Sequence, residues 1–148
     1  MARAGVEYTA MNGSKLEFKK NGESEYTRIY GLSNIPDLGG TPNKIDTTDL
    51  DNEKYETNIM GLMPALELDF EFNMEDPSAT ANIKLASDLE DEDSVIEFKL
   101  TYKNGITAEF QSKVRTTILG GANGDLQKFT MHLAPESEPV ITIPEKTL

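Results

Sequence analysis

Residues 66 to 73 read Leu-Glu-Leu-Asp-Phe-Glu-Phe-Asn, so Leu66, Leu68, Phe70 and Phe72 alternate with Glu67, Asp69 and Glu71. Successive side chains of a strand point to opposite faces, which gives this segment one dry face and one acidic face. Such a strand needs other two-faced strands to cover its dry side. Residues 95 to 102, 106 to 119 and 126 to 133 repeat the same period. Residues 15 to 19 and 26 to 30 are shorter candidates joined across Asn21-Gly22. Residues 140 to 143, flanked by Pro139 and Pro144, suit an edge strand or an extended arm.

The register of one hairpin follows from this alternation. A two-residue Asn104-Gly105 loop is the usual inference. It would set Leu100 against Glu109 and Phe98 against Gln111, mixing apolar and polar groups on each face. A three-residue loop, Lys103-Asn104-Gly105, sets Leu100 opposite Ala108 and Phe98 opposite Phe110, with Lys99 opposite Glu109 and Glu97 opposite Gln111. Both faces become consistent, and the turn predicts a positive φ at Gly105.

Other segments interrupt the strands. Residues 32 to 43 hold two Pro and two Gly, and read as a loop. Residues 44 to 48 and 54 to 59 form two arms of a hairpin around the acidic tip Asp49-Leu50-Asp51-Asn52-Glu53. Gly120-Gly121-Ala122-Asn123-Gly124 is a hairpin connection. One helix is expected, capped by Asp76, with Pro77 in its first turn. Its apolar face comprises Ala79, Ile83, Ala86, Leu85 and Leu89, and it ends in Glu90-Asp91-Glu92-Asp93. The resulting class is mostly β: an antiparallel β-sandwich or partial barrel with one flanking α-helix.

The 148 residues fit one domain, 1–148, large enough to bury roughly 68–70% of its unfolded surface. Disulfides and thiolate metal sites are excluded, because Cys is absent. Residues 1 to 10 carry no apolar run of signal-peptide length and no segment has the apolar length of a membrane span, so cytosolic synthesis without membrane insertion is expected. Asn12-Gly13-Ser14 is then a turn and not a glycosylation site. Asp and Glu number 26 against 14 Lys and Arg, a net charge of −12. That balance opposes a nucleic-acid grip. It serves either solubility or a surface past which DNA slides without sticking.

Catalytic signatures are weak. The single His, His132, alternates with Phe129, Met131 and Leu133 and belongs to the polar face with Lys128 and Thr130, as a solvated strand residue. Carboxylates are abundant, yet they sit in solvated runs and no Trp offers a sugar platform. Asp49-x-Asp51-x-Glu53 lacks the Gly and terminal Glu of a calcium loop. Gly120-Gly121 is not followed by the Lys-Ser/Thr of a phosphate cradle. No catalytic residue, cofactor or metal site is assigned, and the chain is expected not to be an enzyme.

Several segments, in order, resemble the major tail tube proteins of long-tailed phages of Gram-positive bacteria. The stretch Gly31-Leu32-Ser33-Asn34-Ile35-Pro36-Asp37-Leu38-Gly39-Gly40-Thr41-Pro42-Asn43-Lys44-Ile45-Asp46 is similar to one that leads into a strand in that family, followed by Thr48-Asp49-Leu50. Residues 59 to 62, the acidic–apolar strand, Ser78-Ala79-Thr80 before a helix, and Gly120-Gly121 leading to Phe129-Thr130-Met131-His132-Leu133 continue the match. It spans roughly residues 26 to 140; the first 25 residues and the run from Glu90 to Asp93 depart from the pattern.

The resemblance implies a structural subunit that forms hexameric rings, whose strands join an inter-subunit β-barrel. The rings stack around a tape-measure protein into a tube that delivers DNA. It also implies a tail terminator and a distal tail protein as partners, DNA that passes without specific binding, and a place in the virion tail after assembly in host cytoplasm. Expected parts are an N-terminal arm, about 1–14, a stacking loop, about 34–61, and a C-terminal arm, about 135–148. The stacking tip is Thr48, Asp49, Leu50, Asp51, Asn52, Glu53 and Lys54. The first candidates to line the lumen are Glu67, Asp69 and Glu71; the second set is Glu97, Lys99, Glu109, Gln111 and Lys113. A monomeric β-sandwich binding module, for adhesion or sugars, is the alternative.

Overall fold

A computed structural model describes residues 8–51 and 53–145. Two antiparallel sheets pack face to face and do not close into a barrel. The five-stranded sheet runs β11 (Val140–Thr142), β8 (Thr107–Ser112), β7 (Ile96–Thr101), β1 (Lys15–Lys19), β2 (Thr27–Ile29). The four-stranded sheet runs β3 (Leu32–Asn34), β6 (Leu68–Asn73), β10 (Lys128–Leu133), β9 (Val114–Ile118). A separate hairpin pairs β4 (Lys44–Asp46) with β5 (Asn58–Met60).

The dry faces meet as the alternation requires. Phe70, Phe72, Phe98, Phe129, Leu16, Leu68, Leu100, Met131 and Leu133 are fully buried. Burying each such side chain contributes about 1.5–3 kcal/mol. Phe70 stacks on Phe110 across the two sheets at 6.4 Å between ring centroids. Phe72 stacks on Phe129 within its own sheet at 5.1 Å.

The β7–β8 register pairs Phe98 with Phe110, Leu100 with Ala108 and Lys99 with Glu109. The loop is three residues long: Tyr102 N–H donates to Ile106 O, and Gly105 N–H donates to Tyr102 O. Gly105 has φ +94°, and a Cβ there would lie 3.2 Å from Pro144 Cγ. Gly105→Val is therefore expected to cost about 1–2 kcal/mol for the left-handed backbone. Urea unfolding checks this; an unchanged midpoint would contradict the strain.

Three sequence expectations are corrected. The loop expected over residues 32 to 43 begins with a strand, β3, which pairs with β6 through an irregular register; three residues among turn formers leave too short a period to see. The single strand expected over residues 106 to 119 is two strands in different sheets. The chain crosses at Ser112-Lys113, where buried Ser112 Oγ donates to Lys113 O (2.7 Å) and accepts from Ala134 N (2.9 Å). Ala108, Phe110, Ser112 and Val114 stay buried in phase through the corner, so periodicity does not reveal it.

The helix, α1 (Asn82–Glu92), starts later than expected, and Ala81, not Asp76, is its N-cap. Asp76, Pro77 and Ala79 are exposed in the preceding turns. Asn82 replaces them as the organiser. Its Oδ1 accepts from Glu75 N and Ile83 N, while Glu75 Oε1 accepts from Asn82 N. Ala86 and Leu89 enter the core, with Ile83 and Leu85 packed against it. At the far end Asp93 closes the helix in the left-handed conformation, φ 47°. The Lys20–Glu92 ion pair (2.7 Å) ties that end to the segment after β1.

Candidate assembly surfaces

With the dry faces used up, the chain offers partners two polar sheet faces, the sheet edges and a projecting hairpin. The eight residues considered for a lumen divide between opposite sides of the sandwich. Glu67, Asp69 and Glu71 belong to the outer side of the four-stranded sheet. Glu97, Lys99, Glu109 and Gln111 belong to the outer side of the five-stranded sheet. Lys113 joins neither row, because it sits at the crossing and reaches Asp93 at 3.7 Å. One channel cannot be lined by both rows of one subunit.

The face bearing Glu67, Asp69 and Glu71 is less purely acidic than its own strand. Asp69 Oδ1 lies 2.7 Å from His132 Nδ1, and His132 Nε2 lies 2.8 Å from Thr117 Oγ1. This line joins β6, β10 and β9 side by side. Glu71 pairs with Lys128 at 3.2 Å. Glu67 is exposed beside Asp69, Arg115 and His132 in an open depression. Arg115 Nη2 meets Asp93 at 3.1 Å. That hydrogen bond, with the charges of Lys113 and Arg115, holds the Asp93 carboxyl below the usual carboxylate range.

The opposite face is mixed. Lys19 pairs with Glu97 at 3.2 Å, and Gln111 Nε2 donates to Glu97 at 3.4 Å. The hydrogen bond to Glu97 raises the Lys19 pKa. Lys19 and Lys99 both lie over the Tyr26 ring, at 5.0 and 5.5 Å.

The hairpin is built from β4 and β5, with Ile45 opposite Ile59 and Asp46 opposite Asn58. Thr47 N–H donates to Thr57 O. Thr48 belongs to the arm and not the tip: its Oγ1 accepts from Thr57 N and donates to Thr57 O. Asp46 Oδ1 accepts from the Thr48 N–H at 2.8 Å, which lowers its pKa. Asp49, Leu50, Asp51, Glu53 and Lys54 form the exposed tip, and Asn52 lies outside the described residues. So do residues 1–7 of the N-terminal arm and residues 146–148 of the C-terminal arm.

A feature the charge pattern did not reveal is the apolar character of this projection. Ile45, Leu50, Tyr55, Ile59, Met60, Leu62 and Met63 are all exposed. A projection that exposes this many large apolar side chains is physically suited to a contact surface. The run Ile59-Met60-Gly61-Leu62-Met63 carried the signal, but in sequence it is indistinguishable from a core strand.

No protein-family profile and no curated protein matches the sequence. Solved structures do match in shape. One is a chain of the tail of an empty GTA particle, determined with helical refinement and C6 symmetry: TM-score 0.67, 14% identity, covering 90% of this chain and 100% of that one. Another is a chain of the six-fold symmetrised anti-feeding prophage baseplate: TM-score 0.63, 12% identity, covering 96% of this chain and 97% of that one. At such identities the likeness shows a shared fold.

Proposed function

We propose that the chain is a structural subunit of a phage tail tube, forming hexameric rings that stack around a tape-measure protein into a channel for DNA. The observation that carries this reading is the placement of the hairpin. β4 and β5 are inserted between β3 and β6, which are neighbours in the four-stranded sheet. Whatever ring that sheet builds, every subunit projects its hairpin from the same rim. The shared fold with chains from two six-fold particles supports the same symmetry.

The four-stranded sheet is the wall of the channel in this reading. Its edge strands are β3 and β9, the latter flanked by α1 through Thr116–Glu90 and Arg115–Asp93, and edge strands invite pairing with another chain. β3 of one subunit beside β9 of the next continues the sheet around a closed ring. Glu67, Asp69 and Glu71 then face the lumen, where carboxylates keep phosphates mobile. Glu97, Lys99, Glu109 and Gln111 face outward. A non-contractile tail of a phage of Gram-positive bacteria is the specific setting, with the protein assembled in host cytoplasm and carried in the virion.

The absence of Cys gives a clean test. Ser33 and Thr117 are exposed on the two edge strands. A Ser33→Cys/Thr117→Cys protein treated with a short bismaleimide is expected to give a denaturing-gel ladder that stops at six. Monomer alone, or a ladder without a stop at six, would contradict ring closure.

A further inference from the structure

We propose that the turn between β9 and β10 of one copy seats in an apolar groove at the hairpin root of a second copy. The inference rests on the tube reading and names the residues of the ring-to-ring contact. β6 runs from Leu68, opposite Leu133, to Asn73, opposite Lys128. The hairpin root enters at the Leu68 end, and the β9–β10 turn closes at the Lys128 end. The two features therefore lie at opposite ends of the same sheet.

At the hairpin end, Leu38, Met63, Leu66 and Ile141 give a groove of about 290 Å³ its apolar lining, and Glu136 and Glu138 line it as well. At the other end, Ile118, Leu119 and Leu126 are 69%, 38% and 62% exposed. This knob is preformed. Leu119 N–H donates to Lys128 O, and Asp125 N–H to Ala122 O, while Asp125 Oδ2 accepts from Ala122 N at 2.8 Å. Gly124 takes φ +90° at the tip. A preorganised turn loses little freedom on docking.

The occupant is a second copy for two reasons. Hole and knob sit at opposite ends of one chain, so head-to-tail repetition satisfies both at every step, as a heterologous contact does. A chain of net charge −12 also repels its copies, so the element that enters a groove carrying Glu136 and Glu138 must itself be nearly neutral. From Leu119 to Leu126 the turn carries one charged side chain, Asp125, which is committed to its own backbone.

Met63→Cys/Leu126→Cys, in the otherwise Cys-free chain, tests the contact with a short bismaleimide. The expected result is a crosslinked ladder running past six subunits, in protein seen as tubes by electron microscopy, with each single variant uncrosslinked. Tubes in which the double variant crosslinks no better than the singles would overturn this contact and leave the tube reading standing. Rings and tubes that never form would overturn both. Leu126→Asp supplies an independent arm: folded rings are expected with at least ten-fold fewer stacks, and tubes at the normal yield would overturn the contact.

Discussion

Asn82→Ala is expected to lower the unfolding free energy by roughly 3–5 kcal/mol, and the melting temperature by about 10 °C. Asn82 is fully buried, and its amide is saturated. Nδ2 donates to Tyr30 O (2.8 Å) and Asn73 O (2.7 Å), and Oδ1 accepts from Glu75 N and Ile83 N. One side chain thus joins the end of β2, the end of β6 and the start of α1. Truncation strands buried backbone groups, each costing about 1–3 kcal/mol. Gly31 belongs to the same joint: with φ +87°, an added Cβ would lie 2.6 Å from Asn73 O and 2.7 Å from Asn82 Nδ2. Urea unfolding of Asn82→Ala beside Asp88→Ala, a half-exposed control that loses only the Lys84–Asp88 ion pair and is expected within about 0.5 kcal/mol, decides the matter. A loss below about 1 kcal/mol for Asn82→Ala would remove the joint from the account.

Deleting residues 48 to 54 is expected to abolish long tubes while leaving the subunit folded. The deleted residues, the tip and the arm residue Thr48, are exposed wherever they are described, and the β4–β5 hairpin is a sheet of its own, so neither large sheet loses a ladder partner. What disappears is reach: the polar tip and Leu50, fully exposed, are gone. Thermal unfolding should remain cooperative near the parent temperature, and sedimentation should show no species larger than rings. Tubes of ordinary length from the deleted chain would sink the stacking role of the tip.

The strands were legible because one face of each is buried, which writes a period of two into the sequence. The β7–β8 register was legible for the same reason, since only one loop length puts Phe98 opposite Phe110. The crossing at Ser112 was not, because burial stays in phase through it. The helix start was misplaced because Asp76-Pro77 carries a local capping signal, whereas Asn82 is fixed by carbonyls from Tyr30 and Asn73, distant in sequence. The candidate site was legible in part. Alternation placed Glu67, Asp69 and Glu71 on a polar face, but the partners of Asp69 and Glu71, His132 and Lys128, follow from strand order, which a period does not encode. Whether Leu62 and Met63 are core or contact depends on what covers them, which again is tertiary.

The central claim is that this fold closes into rings walled by its four-stranded sheet. Electron microscopy of concentrated purified protein, with class averages viewed down the particle axis, measures this most directly. The account predicts hollow six-fold rings or stacked tubes, with the four-stranded sheet innermost and the five-stranded sheet outside. A monomer that persists at high concentration, as a sugar-binding or adhesion module would, or rings with the five-stranded sheet facing the channel, would contradict it.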